Sequence, residues 1–377
     1  MSLKICKNCV MDSSDPSINF DERGICSHCN SFYKSILPAW KKLQSNENSL
    51  LDLSNQIKKN NKSKSNYDCI IGLSGGIDSS YLLHLAVTKL SLRPLVFHVD
   101  SGWNSNVASS NIERLIEVLN LDLYTEVINW KEMRDVQLSF LKSGVAHIDA
   151  PQDYSFFATL YKFANKFKIK TILTGANFST ECIRNPVEWM YYQSDDKQLR
   201  SIHKKFGNLK LKNFPKTHIL WHKFYLPYFK RIKIIKPLNY FDYNKNSAKK
   251  LLIEKYNWRP YPQKHFESRF TSFYEGFWLY ERFGYDVRKV QLSSLILTNQ
   301  IAREDAIAVL SKPPLDKKTI MLEKQFIADK LRIDLEELEN YFNLPLKTYN
   351  DYPNQAWLYN IGSKFLKLIG KEIGGKN

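Results

Sequence analysis

The stretch Cys69-Ile70-Ile71-Gly72-Leu73-Ser74-Gly75-Gly76-Ile77-Asp78-Ser79-Ser80 decides how this chain is read. Its apolar first half reads as a buried strand, and Tyr81-Leu82-Leu83-His84-Leu85-Ala86-Val87 after it reads as a helix packed on that strand. Between them stand two glycines and three serines. In that context the glycines let the backbone approach a ligand closely, and the unpaired first-turn N–H groups and helix dipole favour an anion. Ser74, Ser79 and Ser80 add hydroxyl donors, and Asp78 is placed to hold a magnesium ion beside phosphate oxygens.

The Gly-Lys-Ser/Thr ending of a Walker A loop is absent. The run Ser-Gly-Gly-x-Asp-Ser instead resembles the pyrophosphate loop of the N-type ATP pyrophosphatases. That resemblance implies adenylation of a carbonyl-type oxygen, release of pyrophosphate, and displacement of AMP by a nitrogen or sulfur nucleophile.

Outward from the loop, strands and helices alternate. Pro94 to Asp100, Tyr124 to Ile128 and Thr171 to Thr174 read as strands. Helices are expected near Asn111 to Leu119, Lys131 to Leu141 and Tyr154 to Lys166. Repeated βα units predict an α/β fold with a doubly wound parallel sheet and ligands at the strands' carboxyl ends. Three loops then face one crevice. They are the serine-glycine loop, His98-Val99-Asp100-Ser101-Gly102, and Gly175-Ala176-Asn177-Phe178-Ser179-Thr180-Glu181. His98 and Asp100 are expected beside the adenosine, Gly175 to make room for the nucleotide, and Asn177 and Glu181 to orient the reacting group or the metal. Taken singly, Asp100 and Asn177 also suit ordinary caps or turns. Asp149 to Asp153 enters a helix from the same edge, which makes Asp153 a substrate-side candidate.

Upstream, Cys6-Lys7-Asn8-Cys9 and Cys26-Ser27-His28-Cys29 form two CxxC knuckles with the spacing of a four-thiolate zinc site. So short a segment buries little core, so a structural Zn2+ held by Cys6, Cys9, Cys26 and Cys29 would supply its folding energy. His28 reads as a bystander. A helix over Leu43 to Lys59 and a flexible link over Asn60 to Asn66 follow. Beyond Pro237 the alternation stops, and Ser247 to Tyr256, Phe273 to Phe283, Ile301 to Leu310, Lys318 to Leu331, Leu335 to Phe342 and Asn354 to Ile369 read as helices. The expected units are therefore a knuckle over 1–35, a helix and linker over 36–66, the ATP-binding α/β domain over 67–240, and a mostly helical region over 241–377.

The chain has 377 residues, 43% of them hydrophobic, and a formal charge of +17. Of that charge, +14 falls between Lys197 and Lys250, where 15 Lys/Arg face the single acid Asp242. Such a segment suits an anionic partner or a solvated basic face. No apolar run approaches a membrane span, and the start lacks a signal-peptide layout, so a cytoplasmic protein with no membrane partner is expected.

One more block stands out: Lys264-His265-Phe266-Glu267-Ser268-Arg269-Phe270-Thr271. Together with the knuckles, the serine-glycine loop and Thr174 to Glu181, it is similar to the N-acetyl sugar amidotransferase family of surface-polysaccharide and flagellin-glycan synthesis. The resemblance implies a pyrophosphate-loop ATPase fold and conversion of a sugar acetamido group to an acetamidino group, with ATP and Mg2+. It implies an acidic or nucleotide-linked N-acetyl sugar as substrate, and ammonia from a separate glutaminase with a cyclase-like companion. Lys264, His265 and Arg269 would meet phosphate or a sugar carboxylate, Arg269 foremost for its bidentate geometry. The rival is a tRNA thiolase. It would need further active-site cysteines, and only Cys69 and Cys182 remain, so a specific nucleic-acid partner is not expected.

Overall fold

A computed structural model describes residues 3–45, 49–61 and 66–368. Side-chain periodicity builds its sheet. In the strands β1 (Cys69–Gly72), β2 (Pro94–Asp100) and β4 (Thr171–Leu173), alternate residues enter two separate apolar cores. Ile70, Leu95, Phe97 and Ile172 point into one; Cys69, Ile71, Val96 and Leu173 point into the other. Both faces are therefore covered, as parallel strands require. Helices Ile77–Thr88, Asn106–Leu119 and Lys245–Tyr256 close one face through Leu82, Leu83, Leu115 and Leu252. Helices Trp130–Ser143 and Ala150–Lys166 close the other through Val136, Phe140, Ala158 and Phe163. Each of these side chains larger than alanine, once buried, stabilises the fold by about 1.5–3 kcal/mol.

The sheet has five strands in the order β3-β2-β1-β4-β5, with β3 at Leu123–Val127 and β5 at Lys233–Ile235. All pairings are parallel. The chain runs outward from β1 to β3, then returns to the far side of β1. That reversal leaves a crevice between the carboxyl ends of β1 and β4. β5 went unread in the sequence, because a three-residue edge strand among lysines has no measurable period.

Two other expectations need revision. The helix expected over Leu43 to Lys59 is split into Leu37–Gln44 and Ser49–Asn61. Of the expected link over Asn60 to Asn66, Asn60 and Asn61 close that second helix, and residues 62–65 lie outside the described residues. The C-terminal helices include Arg288–Leu297, which the sequence reading missed, and the expected end at Ile369 lies outside the described residues.

The outlying parts share the central core. Phe270, Phe273 and Trp278 pack in the same cluster as Phe140, Val136 and the four knuckle cysteines. Arg303 donates to the carbonyls of Cys6 (2.9 Å) and Cys9 (3.1 Å), and the Val10 N–H donates to Ser293 Oγ at 3.1 Å. The core therefore runs across the boundaries expected at 35/36 and 240/241.

Candidate active site

The crevice opens into a cavity of about 700 Å³ whose floor is the serine-glycine loop. Gly75 has φ +82°, and a Cβ there would lie 2.8 Å from the Ala108 carbonyl, so no other residue fits. Its own carbonyl accepts from Trp258 Nε1 (3.0 Å) and the Tyr261 hydroxyl (3.1 Å). Gly76 caps the following helix with no side-chain acceptor, so its first-turn N–H groups stay available to an anion. Ser74 Oγ and Ser79 Oγ stand 3.1 Å apart on the cavity wall. Ser80 turns inward instead: it is fully buried and does not line the cavity, a correction to its expected phosphate role. Gly75 likewise shapes the loop from behind rather than lining the cavity.

Asp78 is the hub of the end nearest the serine-glycine loop. Its Oδ1 accepts from the Tyr243 hydroxyl at 2.6 Å, and its Oδ2 meets Lys264 Nζ at 3.2 Å. Lys264 Nζ also meets Glu181 Oε1 at 2.6 Å. Burial pushes the Asp78 carboxyl up, but Lys264 and the Tyr243 hydroxyl outweigh it and hold it below the usual carboxylate range. Burial disfavours the Lys264 cation, yet Asp78 and Glu181 together hold it above its ordinary value. Two carboxylates converging on one cation also fit a divalent ion, so Asp78 and Glu181 are the residues that would hold Mg2+. Lys245 and Lys249, one helical turn apart, complete this end. Gly175 brings β4 close, since a Cβ there would lie 3.0 Å from the Asp78 backbone carbon.

The far end of the cavity is different in kind. Asp153 accepts from Gln193 Nε2 at 2.8 Å, and its Oδ2 lies 3.5 Å from His147 Nε2. Asp149 accepts from the Thr271 hydroxyl at 2.7 Å; burial, reinforced by Asp153, pushes its carboxyl well up. His265, at φ +66°, sets Nδ1 2.9 Å from Glu275 Oε1. Burial alone would lower its pKa, but Glu275 outweighs burial and raises it to about 9. Phe156, Phe157, Leu160 and Met190 give this end an apolar wall.

Between the ends lies Glu267, which the sequence reading quoted but gave no role. Its Oε1 accepts from Ser74 Oγ at 3.3 Å, and burial raises its carboxyl. A Cβ on Gly76 would meet the same oxygen at 2.5 Å. His98 lines the cavity too. Its Nδ1–H donates to the Leu73 carbonyl (2.8 Å), and Asn104 donates to its Nε2 (2.8 Å).

Besides Gly75 and Ser80, three more expected residues do not line the cavity. Arg269 forms a two-pronged pair with Glu323 (3.2 and 2.9 Å) and lies over the Phe326 ring at 3.3 Å. Helix geometry is the reason: positions 268, 271 and 275 face the cavity, so 269 faces the helix Lys317–Leu331. Asn177 caps the short helix Phe178–Glu181, accepting from the Thr180 N–H at 2.8 Å and donating to the Gly175 carbonyl at 2.9 Å, and its Nδ2 reaches the site only through Asp78 Oδ1 at 3.4 Å. Asp100 accepts from the Gly102 N–H (2.7 Å) and Asn104 (3.3 Å), fixing its own turn. Gly102 is likewise required by packing, because a Cβ would stand 2.7 Å from the Trp130 ring. Tyr243, Lys245, Lys249 and His147 were missed. Only the four-residue spacing of the two lysines left a trace in the sequence.

The cysteine cluster is separate from the cavity. All four Sγ atoms are buried and lie within 4.8 Å of one another, with close pairs at 3.6, 3.7 and 3.8 Å. A tetrahedron of Zn–S bonds of about 2.3 Å has sulfur edges of about 3.8 Å, so the donors fit zinc. The N–H groups of Asn8, Met11 and Cys26 point at these sulfurs, as thiolates require. His28 pairs with Asp15 at 2.7 Å and is no ligand.

Residues 267–366 match the family described as LPS biosynthesis protein WbpG-like, C-terminal domain. The matched stretch begins at Glu267 and includes Ser268, Thr271 and Glu275 of the cavity wall. No curated protein matches the chain. Similar solved structures include an NMN synthetase from Francisella tularensis, 17% identical over 79% of this chain and 96% of that one, with a TM-score of 0.30. An NH3-dependent NAD synthetase from Campylobacter jejuni subsp. jejuni NCTC 11168, in complex with the nitrate ion, is 16% identical over 58% of this chain and 93% of that one, at 0.29. Alignments this loose leave the fold to be argued from the strand order and the crevice.

Proposed function

We propose that the chain is an ATP-dependent, AMP-forming amidotransferase that adenylates the acetamido oxygen of an N-acetyl sugar and admits ammonia at the imidate carbon. The coarser part of that reading, an ATP-using synthetase-like enzyme, is supported by an uncapped helix N-terminus at the switch point with Asp78, Glu181 and Lys264 beside it. The finer part is carried by one observation: the first residues of the WbpG-like domain reach the serine-glycine loop, with Glu267 hydrogen-bonded to Ser74.

An amide oxygen is a poor nucleophile, so alignment and charge neutralisation must do the work. Backbone N–H groups of the loop, Ser74, Ser79, Lys245 and Lys249 would bind the phosphates, and Lys264 would balance charge at the α-phosphate. Mg2+ held by Asp78 and Glu181 would neutralise the pyrophosphate leaving group. At the far end, Asp153 and Gln193 offer acceptors and donors suited to sugar hydroxyls and the acetamido N–H, with Phe156 and Phe157 as apolar wall. With Arg269 turned away, an acidic sugar loses its expected receptor. A neutral acetamido sugar, free or nucleotide-linked, therefore suits the cavity better.

The thiolase reading is disfavoured by the two remaining cysteines. Neither lines the cavity, Cys69 is buried in β1, and burial raises Cys182 to about 11. Ammonia delivery by a separate glutaminase and its cyclase-like companion stays part of the proposal. The test is incubation with ATP, Mg2+, ammonium and a panel of acetamido sugars. AMP, pyrophosphate and a sugar product lighter by about one mass unit, as NH replaces O, are expected. ADP and phosphate, or AMP with no sugar product across the panel, would overturn it.

A further inference from the structure

Only the end of the basic segment, at Lys245 and Lys249, reaches the cavity, whose lining includes no residue between Gln193 and Lys245. Its centre is the helix Trp221–Phe229, wound in π turns around Pro227, which buries only His222 and Leu226. The opposite side is aromatic and exposed: Phe224 by 56%, Tyr228 by 68% and Phe229 by 67%. These rings touch one another, with Phe224 5.3 Å from Tyr228 and 5.9 Å from Phe229, and Tyr225 5.7 Å from Phe229. Exposed Leu220 and Ile234 extend the patch onto β5, the sheet edge that pairs only with β4. Arg231 and Lys233 are exposed at its border, and Lys230 lies over the Tyr225 ring at 5.6 Å. From Lys197 to Phe241 the sequence contains no Asp or Glu.

We propose that this face docks the protein onto an anionic lipid bilayer, with Phe224, Tyr225, Tyr228 and Phe229 in the headgroup region and the cations against lipid phosphates. Charge complementarity favours this occupant. A run of cations with no acid of its own between Lys197 and Phe241 matches a diffuse anionic surface. Aromatics set among Lys and Arg are the composition of segments that lie in the membrane interface. Protein-protein interfaces, by contrast, are depleted in Lys. Among the described residues no helix is long and apolar enough to cross a membrane. A surface-lying segment needs no span, so the expectation of no membrane partner, drawn from the absence of spans, does not bear on it.

The experiment is co-sedimentation of the full-length protein with phosphatidylcholine vesicles, with and without about one third phosphatidylglycerol, at low and high salt. The anionic vesicles should bind at least about tenfold more tightly, and salt should weaken that binding. Phe224→Ser with Phe229→Ser should lower it about tenfold at either salt. Lys230→Gln with Lys233→Gln should remove much of the salt-sensitive part. Unaltered thermal unfolding of both variants shows that they are folded. No binding to anionic vesicles at low salt would overturn the proposal. So would equal binding by the serine variant, comparable affinity for polyglutamate, or self-association through the patch in place of vesicle binding.

Discussion

Cys6, Cys9, Cys26 and Cys29 converge on one point from a single short loop region. The groups around Asp78 come from four places: Tyr243, Lys264, Glu181 and the loop itself. The knuckle closes on itself; the crevice is complete only when chain ends distant in sequence have docked. A local site can be read from spacing, and a metal crosslink can substitute for core. A site assembled over distance is readable only in its serine-glycine loop, and its remaining partners follow from how helices happen to be turned. The knuckle is also not idle in that assembly, since Ser293 lies on the helix Arg288–Leu297, whose Leu295 lines the cavity, and Arg303 follows Gln300 and Ile301, which line it too.

The sharpest way to break this comparison is to remove the metal. Structural zinc binding in small domains is worth on the order of 10 kcal/mol, so chelation or Cys26→Ser should unfold the knuckle. Because Arg303 and Ser293 hold it, the C-terminal helices should lose stability with it. Elemental analysis should find about one zinc per chain, and thermal unfolding should shift down sharply when it is stripped. A zinc-free protein with unchanged melting would mean the knuckle stands on its own packing.

At the crevice, Asp78→Asn should lower kcat by about 10²–10³-fold while ATP affinity changes far less. Single-turnover AMP formation measures the first and equilibrium nucleotide binding the second. A full-speed variant would move the chemistry away from the loop.

Lys264 and Arg269 stand five positions apart, and the structure sends them to opposite sides of one helix start. Lys264→Ala should leave Asp78 and Glu181 facing each other uncompensated, with turnover down about 10²-fold. Arg269→Ala breaks only the Glu323 pair and its stacking on Phe326. It should cost about 1–2 kcal/mol in urea unfolding and leave turnover within about twofold. Turnover abolished by Arg269→Ala in a stably folded protein would restore the role the sequence suggested for it.

That pair shows what was legible and why. The parallel sheet, the serine-glycine loop and the knuckle announce themselves through period and spacing, because each is fixed by neighbours in sequence. Lys264, Glu267 and Arg269 share one charged block, and a block says nothing about rotation. Only the Ser268 cap, which sets the helix phase so that 268, 271 and 275 face inward, separates the residues that reach the cavity from the one that does not. Tyr243 and His147 were beyond reach for a related reason. Each is an ordinary residue in its own segment and gains a role only from what packs opposite.

The smallest effect expected is a pH dependence that belongs to the crevice and not to the knuckle. Burial works against the His265 imidazolium, but Glu275 at 2.9 Å outweighs it, with Glu267 adding to and Lys264 opposing the attraction, and the pKa rises from 6.5 to about 9. A histidine whose folded pKa lies above its unfolded value stabilises the protein fully below the unfolded pKa. The stabilisation then fades as pH climbs through the folded one. Here it is present below about pH 6.5 and lost through about pH 9. The His265 side chain is 39% exposed, so solvent screening reduces the contribution to about 1 kcal/mol. Urea unfolding of wild type and Glu275→Gln between about pH 6 and about pH 10 reads it. The gap between the two proteins should narrow by about 1 kcal/mol across that range, on top of whatever constant cost the substitution carries. A gap that stays constant with pH would show that His265 is neutral in the folded protein. The far end of the cavity would then carry more negative charge than the His265–Glu275 pair allows, making it a poorer seat for any sugar bearing a carboxylate.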